Sequence, residues 1–169
     1  MEIKKEIESN QITLLLIPNN KYSNEIGKIL KEVKFKKIGY VCLNRSPAVL
    51  SSLLKGKIDE DKIAFVDCIS QCRGEIKNCI PVSSPSDLFR ISLSITKLLA
   101  EEKVDAIIFD SLSTLLAYNK EILVIQFAQS VIGKIRNSSC KGIFPCPKED
   151  IAQTLVKDLE MFADNTITL

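Results

Sequence analysis

Between residues 12 and 17 the chain reads Ile-Thr-Leu-Leu-Leu-Ile, without a charge, and Pro18-Asn19-Asn20 ends the run. Ile26, Ile29, Leu30 and Val33 follow at helical spacing. A continuous apolar run predicts a strand covered on both faces, and the spacing after it predicts a helix that does the covering. The pair of patterns then recurs. Ile38-Gly-Tyr-Val-Cys-Leu43 reads as a strand, with a short helix over Pro47 to Leu54 that stops near Gly56. Ile63 to Val66 is a third strand, and the stretch from Asp67 to Val82, with Gly74, Pro81 and three cysteines, reads as an irregular excursion. Ser84-Pro85-Ser86-Asp87 predicts a helix start with Ser84 as N-cap and Pro85 in the first helical position. Leu88, Ile91, Ile95, Leu98 and Leu99 give that helix its buried face. Val104 to Asp110 is a strand, and a helix beginning near Asn119 turns Phe127, Val131 and Ile135 inward. Lys141 to Cys146 is a further strand, which Pro145 would place at an edge or end early. Ile151, Leu155, Leu159 and Phe162 mark a last helix, and Thr166 to Leu169 a closing strand.

Strand and helix alternating in this way force a mostly parallel sheet with helices on both faces, a three-layer α/β/α sandwich. Length and the absence of a linker or repeat point to one domain over residues 1–169. In such sheets ligands sit outside the carboxyl ends of the strands.

Composition narrows the chemistry. No histidine occurs, which excludes imidazole-activated nucleophiles and imidazole metal ligation. With 23 basic and 21 acidic residues the net charge is +2, too small a field to expect nucleic acid or an anionic membrane as partner. The first residues, Met1-Glu-Ile-Lys-Lys-Glu-Ile-Glu, lack the apolar core of a signal peptide, and no run is long enough to span a bilayer, so a cytoplasmic location is expected. The six cysteines form no Cys-x-x-Cys pair, which favours buried thiols over a zinc site. A disulfide among Cys68, Cys72 and Cys79 is expected only if the source is thermophilic, and the redox state of that cluster is left open.

Three places at the carboxyl ends should carry whatever chemistry there is. The loop after the first strand reads Pro18-Asn-Asn-Lys-Tyr-Ser23, with no glycine before Gly27. Lys21 and Ser23 imitate the lysine and hydroxyl of a phosphate loop, but the glycines that let backbone N–H groups approach a phosphate are missing. Tyr22 would crowd the place where phosphates enter. Asn20 or Ser23 capping the helix is the plainer reading. The second place is Asn44 and Arg45, after the second strand. The third is Asp110-Ser111, where an apolar strand ends on an acid. Nucleotide-hydrolysing α/β proteins hold Mg²⁺ with an acid so placed. The alternative role for Asp110 is to cap the next turn through the N–H groups of Leu112 or Ser113.

The order of elements, the strand ending Tyr40-Val-Cys-Leu-Asn44, the Ser84–Asp87 helix start and Ile107-Ile-Phe-Asp110-Ser111-Leu-Ser113-Thr114 resemble the RecA/KaiC-type ATPase domain of the P-loop NTPase class, and most of all small archaeal KaiC-like domains with reduced catalytic motifs. The resemblance implies a water-activating Glu after the second strand, where this chain has Asn44 and Arg45, and an amide cannot take that proton. With the glycine cradle and the Glu both missing, the expectation is a degenerate, pseudo-ATPase domain, not an enzyme. No cofactor is expected, and the domain would be kept for binding a protein or a second copy of itself, since the resemblance implies association across the nucleotide edge. Lys21, Ser23, Asp110 and Ser111 would be vestigial cofactor contacts, with Asp110 a metal ligand only if Mg-nucleotide binds. The alternative is an ATP/Mg enzyme with an atypical phosphate loop, using Lys21, Ser23, Asp110 and Arg45. A DNA-binding accessory resting on Lys34-Phe35-Lys36-Lys37 ranks third, because one aromatic makes no stacking platform.

Overall fold

Every residue of Ile38–Cys42, Ile63–Asp67 and Ala106–Asp110 is buried, as strands covered on both faces must be. The computed structural model describes residues 2–56, 58–73, 76–149 and 153–169. Its strands are β1 (Ile12–Ile17), β2 (Ile38–Cys42), β3 (Ile63–Asp67), β4 (Cys79–Pro81), β5 (Ala106–Asp110), β6 (Lys141–Pro147) and β7 (Asn165–Thr168). Its helices are α1 (Glu2–Ser9), α2 (Tyr22–Glu32), α3 (Pro47–Leu54), α4 (Leu88–Ala100), α5 (Glu121–Arg136) and α6 (Gln153–Phe162). The strands form one sheet in the order β4-β3-β2-β5-β6-β1-β7, and every pairing is parallel.

Strand side chains alternate between faces, and the two cores follow that period. Val41, Val66, Ile107, Phe109 and Phe144 pack under α4, α5 and α6. Tyr40, Phe65, Ile108, Ile143 and Leu15 pack under α1, α2 and α3. The chain runs β1 to β2 to β3 with α2 and α3 on one face, then β4 to β5 to β6 to β7 in the opposite direction with α4, α5 and α6 on the other. That is how right-handed crossovers wind a sheet both ways. β2 and β5 are neighbours whose onward connections leave in opposite directions, so the crevice at their carboxyl ends is the topological switch point.

Several expectations need correction. β6 is an interior strand, although it contains Pro145 and Pro147. Gly142 N–H donates to the Gln11 carbonyl of the β1 side, and Lys141 N–H to Asp105 on the β5 side. Odd-numbered residues therefore face β5, whose pairing with β6 stops at Ile143. Both proline nitrogens point into the opened part of the ladder and cost no strand hydrogen bond. The N-cap of α4 is Asp87, which accepts from Arg90 N–H at 3.0 Å, not Ser84. Ser84 instead closes a turn, accepting Asp87 N–H on its carbonyl and Ser86 N–H on its hydroxyl. Neither Asn20 nor Ser23 caps α2: a 3-10 turn over Asn19–Lys21 runs straight into it. α5 starts at Glu121, two residues later than expected. Two elements were not expected: α1, although its Ile3 and Ile7 stand one helical turn apart, and β4, which has only three residues. Ile151 lies outside the described residues.

Gly142 is where this packing leaves no room. A Cβ there would meet Phe144 Cε2 at 2.8 Å, Ile12 Cδ1 at 3.0 Å and Ile135 Cδ1 at 3.1 Å. Gly142→Ala should lower stability by about 1–3 kcal/mol in urea unfolding with the slope unchanged. A shift within about 0.5 kcal/mol would show that the core yields at this point.

Candidate functional site

The register decides what surrounds Asp110. Cys42 lies opposite it, and Tyr40, two residues earlier on β2, shares its face. That face looks toward α2, whose first residue is Tyr22. Asp110 is 0% exposed, and its carboxylate meets four side-chain donors. Oδ1 accepts from Tyr22 O–H at 2.6 Å and from Asn44 Nδ2 at 3.2 Å. Oδ2 accepts from Tyr40 O–H at 2.5 Å and from Arg45 Nη2 at 3.2 Å. A carboxylate offers about four lone-pair sites, so each is taken. The expected cap of the following turn is not what this residue forms. Leu43 N–H donates to the Asp110 carbonyl at 3.0 Å, which carries the β2–β5 pairing on into the loop that holds Asn44 and Arg45. The Asp110–Ser111 peptide bond is cis.

The charges balance locally. Burial above all, and next the Asp110 carboxylate, push the Tyr22 and Tyr40 phenols well above their ordinary value, so both keep the protons that they donate. Arg45 is the counter-cation, with its side chain 15% exposed and its guanidinium 5.7 Å over the Tyr22 ring. Its Nη1 is buried without a hydrogen-bond partner among the described residues. Tyr22 O–H also lies 3.3 Å from the Pro145 carbonyl, which the ended β5–β6 ladder leaves free. Above the carboxylate, the Ser111 hydroxyl lies 2.8 Å from Ser113 and 3.3 Å from Thr114. Thr114 also hydrogen-bonds the Asn44 amide oxygen.

Of the residues singled out from sequence, Asp110, Ser111, Asn44, Arg45, Ser113 and Thr114 come together. Lys21 and Ser23 do not. Lys21, at the end of the 3-10 turn, and Ser23, in the first turn of α2, are exposed and line a cavity of about 500 Å³ with Asn24, Lys28 and Leu53, while Tyr22 between them turns inward. The described residues with positive φ are Gly56, Gln71, Cys72, Asn78 and Lys103, none of them in the turn after β1. That turn therefore has no nest of N–H groups of the kind that cradles phosphate. Tyr40 was missed as a site residue because, inside an apolar strand, a tyrosine reads as core.

The same edge holds a second buried acid. Asp67 ends β3 opposite Cys42. Its Oδ1 accepts from Ile69 and Ser70 N–H, each at 2.9 Å, and its Oδ2 from Ser70 O–H at 2.6 Å and Cys72 N–H at 2.7 Å. Cys72 and Cys79 form a disulfide with Cα atoms 5.9 Å apart, tying this turn to β4. Their sulfurs and an Asp67 oxygen lie within 4.8 Å of one another, but disulfide and turn already occupy these donors. Cys42, Cys68, Cys140 and Cys146 are free and buried. Burial first of all raises the Cys42 thiol well above its usual range and pushes the other three up to about 12, so all are neutral and unreactive.

No family model matches the sequence, and no curated protein does. Among solved structures, a KaiC-like protein of the hyperthermophilic archaeon Pyrococcus horikoshii superimposes with a TM-score of 0.67 at 13% identity, over 94% of this chain and 70% of that one. The fold is a KaiC/RecA-like α/β sandwich. Among the described residues no helix is long and apolar enough to cross a membrane.

Two outcomes follow from these geometries. Tyr40→Phe removes one donor from a buried carboxylate and should cost about 1–3 kcal/mol in urea unfolding, while Asp110→Ala strands Arg45 and two phenols and should cost about 3–5 kcal/mol. Losses below about 0.5 kcal/mol in both would mean that the shell contributes little. At Asp67, burial opposes ionisation, but the donors from Ser70, Cys72 and Ile69 outweigh it and hold the carboxyl below its usual value. Its stabilisation is thus complete above the ordinary carboxylate range and lost as pH falls below about 4. The stability gap between wild type and Asp67→Asn should be constant from neutral pH downward and close only below that range; a gap that widens with acid would contradict the assignment.

Proposed function

We propose that this chain is a RecA/KaiC-like domain that has left nucleotide hydrolysis and acts as a protein-binding or regulatory module, associating with a partner or with itself. The observation that carries this reading is the closed shell of Asp110. A magnesium–triphosphate does not fit it. Mg²⁺ held through water needs a free carboxylate lone pair, and all four are engaged. Arg45 supplies the positive charge that a metal would bring, and Tyr22 stands where a phosphate loop would open. Where a water-activating carboxylate would stand, Asn44 and Arg45 are both donors.

Association is supported by exposed apolar side chains on α4, on α5 and at Tyr118 before α5. Phe89 is 76% exposed, and Leu93, Tyr118, Ile122 and Leu123 are exposed with it. Asn119 Nδ2 donates to the Pro85 carbonyl at 3.3 Å and holds the starts of α4 and α5 side by side. Exposed large apolar side chains on helix starts held together in this way are candidates for an interaction surface.

Calorimetric titration with Mg–ATP separates this reading from the ATP/Mg enzyme with Lys21, Ser23, Asp110 and Arg45 as its site. No binding is expected up to about 1 mM nucleotide, whereas a Kd of about 1 μM would overturn the proposal. Light scattering tests self-association: a mass above one chain should fall to that of one chain in Phe89→Glu and Ile122→Glu. A single-chain mass at every concentration would exclude the second copy as partner.

A further inference from the structure

The Lys34-Phe35-Lys36-Lys37 run takes on a different meaning in the fold. It joins α2 to β2 at the amino edge of the sheet, opposite the edge that holds Asp110. The run is rigidly presented: Asp105 Oδ2 accepts from Lys36 N–H at 2.7 Å and from Lys37 N–H at 3.1 Å. Lys37 pairs with Glu102. The side chains of Lys34 and Lys36 have no acidic partner among the described residues and border a cavity of about 520 Å³. Leu30, Val33 and Ile38 form its floor, with the half-buried Phe35 and Ile58 beside them. Lys31 and Lys62 complete the lining, so four lysines and one carboxylate, Asp59, border the cavity.

We propose that this lysine-rimmed groove is a docking site for an acidic amphipathic peptide segment of a partner protein. The volume suits a few apolar side chains, since cavities of roughly 300–1,000 Å³ hold ligands of that size. Four like charges around an apolar floor repel one another until an anionic partner neutralises them, and only a segment with both apolar and acidic faces satisfies floor and rim together. Nucleic acid would need stacking aromatics or arginine forks, and this floor is mainly aliphatic. A membrane surface would be met by protruding apolar side chains, and these are recessed. The groove lies apart from Asp110, so this proposal and the reading of that site fail independently.

The test uses a fluorescein-labelled peptide built as an amphipathic helix, with Leu and Phe on one face and Glu on the other, titrated by fluorescence anisotropy. Saturable binding is expected. It should weaken about tenfold in Lys34→Glu/Lys36→Glu and fall as salt is raised, because exposed charges are screened beyond about 10 Å at 0.1 M. Both lysines are exposed, so the variant should keep the wild-type unfolding midpoint. Ile58→Glu should weaken binding through the wall instead of the rim. Equal affinity for a peptide with Lys in place of Glu, or equal affinity in the double variant, overturns the proposal. So does binding of phosphatidylserine vesicles or an oligo-dT strand where the acidic peptide does not bind.

Discussion

The carboxylate of Asp110 is the interaction on which the carboxyl half of the molecule is arranged. One buried acid gathers Tyr22 from the first turn of α2, Tyr40 from β2, and Asn44 and Arg45 from the loop before α3. An ion pair this deep costs desolvation and is stable only when every lone pair is met. The surrounding features serve that requirement. Parallel register sets Tyr40 and Asp110 on one face, and the end of the β5–β6 ladder at Ile143 leaves the Pro145 carbonyl within reach of Tyr22. The 3-10 turn over Asn19–Lys21 runs straight into α2 and sets Tyr22, its first residue, inward.

Much of this was legible beforehand, for identifiable reasons. Apolar runs marked β1, β2, β3 and β5, because strands covered on both faces keep charge to their ends, here Asp67 and Asp110. The end of β5 at Asp110 marked the functional edge. What stayed hidden was pairwise. Prolines in β6 argued against an interior strand, and only the side to which their nitrogens point resolves the conflict. Ser84-Pro85 looked like a helix start one turn early, because Ser in a turn and Ser at an N-cap use the same hydroxyl chemistry. The donors to Asp110 come from 65 to 88 residues away, a separation at which periodicity is silent. Tyr22 was suspected of crowding the phosphate loop; that its hydroxyl would bind the acid was not visible.

The two edges of the sheet divide the work. The carboxyl edge, where this architecture places ligands, is filled by the protein's own side chains and roofed by the Ser111, Ser113, Thr114 and Asn44 cluster. Exposed apolar side chains lie on α4 and α5. The amino edge holds an open, basic-rimmed groove. In the function proposed above, contact with other chains would leave the first edge closed and use the second.

The most direct test of the closed shell is to observe its protons. Phenolic hydroxyls buried against a carboxylate exchange slowly, so Tyr22 and Tyr40 should each give a downfield hydroxyl resonance in proton NMR, assigned by Tyr22→Phe and Tyr40→Phe. Both resonances should be present and unchanged when Mg–ATP is added. Their absence would show that the shell is open to solvent, and their loss on adding Mg–ATP that Asp110 takes up the metal; either result overturns the closed shell.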